Sequence, residues 1–217
     1  MRVLPDHGDI GLRWPSTTAA ALALALSVGL ARAGPAMPEA RRLVAQLNSD
    51  LLSHDNATET LQRWCAARHL ADPPTIVAHR VLGRDKPADA EVRRLLHAAP
   101  GEAIRYRRVA LACGDHVLSN ADNWYRPGAL TAAMNAELDA TDHPFGAVVK
   151  PLAFHRRTLS AEVLISAAER RPPAAVIRHK AVLETPDGMP FSLVVETYRR
   201  AVLDTASARR QVEPQVP

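Results

Sequence analysis

Two stretches of the chain each hold a pair of β-rich runs folded back on themselves, and they limit the fold more than any other feature of the sequence. Residues 103–112 and 117–125 read as strands around the turn Cys113-Gly114-Asp115-His116, and residues 176–184 and 190–202 as strands around Pro186-Asp187-Gly188. Apolar and β-branched runs separated by a short glycine-bearing turn are hairpins, which build antiparallel sheet. Helical periodicity precedes them: Leu43, Leu47 and Leu51, with Val44 alongside, recur at the spacing of an amphipathic helix over residues 40–52. Asn56 with Glu59 three residues on opens a second helix that places Leu61, Trp64, Cys65 and Arg68 on one side. Asn56-Ala57-Thr58 also has the form of a glycosylation acceptor. A short strand over 75–82, a short helix over 88–97, a helix over 130–140 and an extended stretch over 152–166 complete the order. Two helices followed by mostly antiparallel strands predict an α+β fold: one antiparallel sheet with flanking helices.

The N-terminal stretch speaks to compartment. Residues 17–30 are apolar and uncharged and are followed by Ala31-Arg32-Ala33, the small-x-small pattern of a signal-peptidase site. The run falls short of the roughly 20 apolar residues that span a bilayer. We therefore expect residues 1–33 to be a signal peptide, residues 34–203 one domain and residues 204–217 a loose tail. The protein is expected to be exported, periplasmic or secreted, a monomer, with no stable membrane insertion once the signal is removed. In an oxidising compartment the pair Cys65 and Cys113 is either one disulfide or two buried apolar thiols.

Composition excludes several classes of partner. Lys and Arg number 27 against 23 Asp and Glu, with the basic residues scattered in pairs, so no electrostatic footprint for nucleic acid is present. The nine histidines stand singly, without metal-ligand spacing. Neither a Walker A loop, a G-x-G-x-x-G turn nor a G-x-S-x-G elbow occurs. No cofactor and no metal are expected.

Two charges interrupt the apolar strands. Arg108, by two-residue alternation, shares a face with the small residues Ala110 and Ala112, which leave room for a ligand. Glu196 sits inside Phe191-Ser-Leu-Val-Val-Glu196, a run otherwise apolar. An unpaired buried charge costs several kcal/mol. The two residues therefore pair with each other, sit at solvated strand edges, or meet a ligand.

At these residues the sequence resembles the chorismate lyase family and its structural cousins, the effector-binding domains of one class of bacterial transcription regulators. The resemblance runs through PGEAIRYRRVALACGD (100–115), ADNWYRP (121–127), TDHPFG (141–146) and DGMPFSLVVE (187–196), about half of the chain after residue 33. It implies an antiparallel sheet whose helical flaps enclose a ligand. It also implies Arg108 as the clamp on a ligand carboxylate, Phe145 and Gly146 in a turn whose backbone lies against the ligand, and Glu196 beside the ring hydroxyl. The activity implied is release of pyruvate from chorismate to leave 4-hydroxybenzoate, with Glu196 and Arg108 catalytic and no cofactor. Asn123, which stands where the lyases carry an arginine, is expected to contact the ligand in its place, and the segment ending at Glu196 is one residue longer, so a bulge is needed for Glu196 to face inward. The alternative reading is an exported, non-catalytic binder of a small aromatic or sugar-like carboxylic acid. No helix-turn-helix stretch precedes the domain, which disfavours a regulator.

Overall fold

A computed structural model describes residues 35–205 except residue 84. The signal expected over residues 1–33 and nearly all of the tail expected over 204–217 lie outside the described residues. Six antiparallel strands form one sheet: β1 (Ile76–Arg80), β2 (Arg105–Cys113), β3 (His116–Tyr125), β4 (His155–Val163), β5 (Ala175–Glu184) and β6 (Pro190–Arg199). Their order across the sheet is β1-β2-β3-β6-β5-β4. Each expected hairpin is present. β2 and β3 turn at Gly114, whose φ of +53° is one that residues with a side chain rarely adopt, and β5 and β6 turn through Gly188 at +80°.

One face of the sheet is covered by helices. α1 (Met37–Leu52) buries Leu43, Val44, Leu47 and Leu51 against it, the stripe that the sequence spacing dictates. α2 (Ala57–Ala67) starts at Asn56, whose side chain accepts hydrogen bonds from the Thr58 and Glu59 amides, so the capping role of Asn56 is realised. Cys65 near the end of α2 is bridged to Cys113 at the end of β2, with Cα atoms 6.2 Å apart. α4 (Ala132–Ala140) is capped by Thr131, and a single helical turn, α5 (Phe145–Val148), follows it. The opposite face carries a smaller apolar cluster of Trp124, Val182 and Leu193 under Val92 and Leu96, residues in and just after α3 (Ala90–Leu95). The α+β, single-sheet architecture expected from the sequence is the one observed.

Candidate ligand cavity

Facing pairs in the sheet decide which residues meet the helices. Arg107 lies opposite Asn123, and Val109 opposite Ala121. Asn123 lies opposite Val194, and Ala121 opposite Glu196. Across β5 and β6, Glu196 faces His179 and Val194 faces Ala181. Residues directly opposite one another share a face of the sheet. Arg107, Val109, Ala121, Asn123, Val194 and Glu196 therefore form one contiguous patch beneath the helical layer.

That patch floors a cavity of about 50 Å³. Phe145, Gly146 and Phe154 close it with the first residues of α2, and Leu111, Leu183 and Arg156 complete its wall. Phe145 packs on Tyr125 at 5.3 Å between ring centroids and on Phe191 at 6.4 Å. The lid is locked where α5 meets α2: the Asn56 side-chain amide donates to the Gly146 carbonyl at 3.0 Å. A Cβ on Gly146 would stand 2.7 Å from Asn56 Oδ1 and 2.9 Å from Thr58 Oγ1, so any side chain there must push these groups aside.

The structure brings four of the expected site residues together here, namely Asn123, Phe145, Gly146 and Glu196. Arg108 is not with them. It lies on the opposite face, 3.4 Å from Asp122, and the arginine in the cavity is its neighbour Arg107. A one-residue change of phase moves a side chain to the other face of a strand. The alanines at 110 and 112 suggested the wrong phase, because the helix-covered face takes the large residues Val109 and Leu111. Nor do Arg108 and Glu196 pair. The partner of Glu196 is Arg156, a residue that no pattern in the sequence singles out. Its Nη2 donates to Glu196 Oε2 at 2.6 Å, and the two side chains are only 3% and 6% exposed. The signal that pointed to a partner was the carboxylate inside an apolar strand, but sequence supplies no distance across 40 residues.

Glu196 faces inward because β6 is bulged. Leu183 faces Ser192, whereas Glu184 faces Pro190, which leaves Phe191 as the extra residue. The insertion noted before Glu196 is absorbed there, and Phe191 packs into the aromatic wall with Phe145 and Phe154.

Hydrogen bonding gives the cavity its chemical character. Glu196 Oε2 accepts from Arg156 and, at 3.1 Å, from the Tyr198 hydroxyl. Burial, with the Glu196 charge beside it, pushes the Tyr198 phenol well above its ordinary pKa, so it serves as a neutral donor. Burial also works against the Arg156 charge, yet the adjacent Glu196 carboxylate outweighs it and raises that guanidinium above its ordinary value. Among the described residues Arg107 has no such counter-ion: burial lowers its pKa, and its one hydrogen bond there runs from Nη2 to the His143 carbonyl at 3.1 Å. Asn123 Oδ1 accepts from the Ser192 hydroxyl. Four buried nitrogens of residues that line the cavity then have no partner among the described residues: Arg107 Nε, Arg107 Nη1, Asn123 Nδ2 and Arg156 Nε. All four are donors. Buried polar atoms are almost always paired, and an orphaned donor costs about 1–3 kcal/mol. Such a set asks for a compact ligand that only accepts, which is what a carboxylate does. No group of three His, Cys, Asp or Glu side chains able to hold a metal occurs among the described residues. None of their helices is long and apolar enough to cross a membrane.

No protein-family model matches the chain. Over 183 residues it is 47% identical to the uncharacterized protein y4mC of Sinorhizobium fredii, a match covering 76% of this chain and 77% of that protein. Among solved structures, PhnF of Mycobacterium smegmatis overlaps 65% of each chain at 12% identity and a TM-score of 0.48. The effector domain of PhnF overlaps 63% of this chain and 87% of the domain, at 12% identity and a TM-score of 0.46. A possible transcriptional regulator, YydK of Bacillus subtilis, overlaps 62% of this chain and 61% of its own at 14% identity and a TM-score of 0.39. The chain thus spans under two thirds of the PhnF and YydK chains it overlaps. Overlaps at TM-scores below 0.5 say nothing of what this chain binds.

Proposed function

The chain belongs to the same family as the uncharacterized protein y4mC, and from that premise we propose that it is a binding domain for a small carboxylic acid, held in the cavity between sheet and helices. The observation that carries this reading is the set of four unpaired buried donors on Arg107, Asn123 and Arg156. A carboxylate seated between Arg107 and Arg156 satisfies them with charge-assisted hydrogen bonds, which are strong in a site sheltered from water. Both hydrogen bonds to Glu196 fall on Oε2, so its other oxygen serves to accept from a hydroxyl on the same ligand. The role given to Arg108 by the family resemblance passes on this reading to Arg107.

Volume narrows the ligand. A cavity of about 50 Å³ has room for a few water molecules at roughly 10–15 Å³ each, whereas a benzene ring occupies an engineered cavity of about 150 Å³. With the lid as it stands, the fit is a two- to four-carbon acid. An aromatic acid requires the Phe145–Gly146 turn to swing outward. Titration calorimetry with acetate, pyruvate, lactate, benzoate and 4-hydroxybenzoate tests the reading: at least one acid binds, and Arg107→Gln weakens it about 30-fold or more, the loss of a charge-assisted contact in a closed site. Absence of binding by all five overturns it.

A second reading, a chorismate pyruvate-lyase, is favoured by one specific feature: Glu196 and the Phe145–Gly146 turn border the same cavity, as the family resemblance implies. In that reaction the ligand's own aromatisation drives pyruvate loss, and Glu196 and the arginines bind, orient and manage one proton. Pyruvate released from chorismate by wild-type protein, and slowed in Glu196→Gln more than binding is weakened, establishes it. No release leaves the non-catalytic binder.

A further inference from the structure

A second, larger cavity of about 230 Å³ lies at the edge of the sheet, where β2 runs on beyond the last paired residue of β1. Its walls include Arg80, Arg105, Arg107 and Arg108 together with Tyr106 and Tyr125. Among the described residues Arg107 alone borders both this outer cavity and the inner one. A side chain over nine-tenths buried, with two unpaired guanidinium nitrogens, therefore stands in the wall between them.

The charges around the outer cavity are unequal. Among the described residues it sets four guanidinium groups against the carboxylates Asp85 and Asp139. Asp139 is taken by Arg105 at 2.8 Å. Arg108 has only a 3.4 Å contact with Asp122, a carboxylate already held by Lys86 at 2.6 Å and by the Tyr106 hydroxyl at 2.5 Å. The inner cavity is also lined by Asp55, whose carboxylate is about half exposed, lies 3.4 Å from the His155 ring and accepts from the Arg156 amide at 2.8 Å. An anion approaching at Asp55 meets a like charge, and one approaching through the outer cavity meets a surplus of positive charge. Low-dielectric clefts lined by one sign of charge concentrate ligands of the opposite sign and speed their association.

We propose that the outer cavity is the vestibule through which a small carboxylate reaches the inner cavity, docking first on Arg105 and Arg108 and then passing Arg107. This rests on the reading of the inner cavity as a carboxylate site. The steps are ordered by charge: an exposed arginine shelf captures the anion, and the buried guanidinium in the shared wall, with its unpaired donors, draws it inward. Arg107 thus serves both as the last contact of the vestibule and as the first of the binding site.

Stopped-flow kinetics with the tightest-binding of acetate, pyruvate, lactate, benzoate and 4-hydroxybenzoate test the route. In the double variant Arg105→Gln/Arg108→Gln the association rate falls about five- to tenfold at low ionic strength, and the difference shrinks toward zero in 0.5 M salt, while the dissociation rate stays within about twofold. The charge-preserving pair Arg105→Lys/Arg108→Lys keeps near-wild-type rates, which separates charge from folding damage, and a thermal melt confirms that each variant is folded. Asp55→Asn leaves association unchanged. Faster association in Asp55→Asn, or wild-type association in the glutamine pair, overturns the vestibule while leaving the inner site standing. If wild-type protein binds none of the five acids, the inner site and the vestibule fall together.

Discussion

Arg107 and Arg156 border one cavity, but the loss of each has an opposite consequence for stability. Arg156 neutralises the buried Glu196, and removing one partner of a buried ion pair strands the other at a cost of about 3–5 kcal/mol. Arg107 has no counter-ion and carries two orphaned donors, so in ligand-free protein it is a burden of the order of 1–3 kcal/mol, offset only in part by its bond to His143. Arg107→Met is expected to leave the ligand-free melting temperature unchanged or raise it while abolishing acid binding, whereas Arg156→Met lowers the melting temperature markedly. A scanning calorimeter checks both, and a clear drop in Arg107→Met removes the argument from orphaned donors. His179 gives the same region a pH dependence. It is fully buried, faces Glu196 across the strands, packs edge-on against Tyr198 and meets Asn48 Oδ1 at 2.8 Å through Nε2. Asn48 Oδ1 only accepts, so Nε2 carries the proton and Nδ1 is left unpaired. Burial lowers the His179 pKa from 6.5, with the Glu196 charge opposing and the Arg156 charge assisting. Below pH 6.5 the unfolded chain takes up a proton there that the native state refuses, so this part of the stability is present above that value and is lost as pH falls through the depressed native one. The melting temperature is expected to fall by a few degrees more between pH 7 and pH 5 in wild type than in His179→Gln. Equal slopes would show that His179 does not contribute.

At the scale of elements, the hairpins and the first two helices were legible because their signals are local: period-2 runs around glycine turns, a leucine stripe, an asparagine cap. α5 was not. It is a single turn, too short for periodicity, and its helix follows from Pro144 at the N-cap and from packing of Phe145 between Tyr125 and Phe191. The bulge at Phe191 was legible only as an extra residue whose effect on facing could not be settled without the partner strand. The inward phase of β2 was missed for a related reason: in Arg-Tyr-Arg-Arg both phases contain an arginine, and only the pairing of Arg107 with Asn123 decides between them. The contact of α5 with α2 carries its own prediction. Gly146→Ala forces a methyl group against Asn56 Oδ1, which is already engaged as the cap of α2. Displacing that cap costs about 1 kcal/mol, and the cavity loses its lock. The variant is expected to melt a few degrees lower and to release bound acid several-fold faster, with association little changed. A dissociation rate equal to wild type would show that the Asn56–Gly146 contact does not hold the lid.

In the whole molecule α2 is tied to the sheet and to the turn that follows β6 in three chemically different ways. Trp64 of α2 donates its indole N–H to the Val202 carbonyl at 2.9 Å, Arg68 donates to the carbonyls of Leu203 and Asp204, and Cys65 is covalently joined to Cys113. All three act at the C-terminal end of α2, whereas the lid is held at its N-terminal end by Asn56. The helix therefore behaves as a rod anchored at one end and closing the cavity at the other. The bridge joins residues 48 apart, and on the chain-entropy account a loop of that length contributes about 4 kcal/mol by restricting the unfolded state, with about 2–4 kcal/mol typical of measured cases. For a domain of this size about 2–4 °C of melting temperature accompanies each kcal/mol. Cys65→Ala/Cys113→Ala is accordingly expected to melt roughly 5–15 °C lower than oxidised wild type. Both cysteines are fully buried, so each alanine also leaves a small void, and wild type refolded under reducing conditions supplies the control without one. Because the cavity walls and the Asn56–Gly146 lock lie away from the bridge, acid affinity measured well below the melting point should change less than about twofold. A melting temperature within 2 °C of oxidised wild type in both reduced protein and the double variant would show that the hydrogen bonds of Trp64 and Arg68 alone anchor the helix. A large loss of affinity with the fold intact would instead mean that the bridge reaches the cavity through α2 and sets the position of its lid.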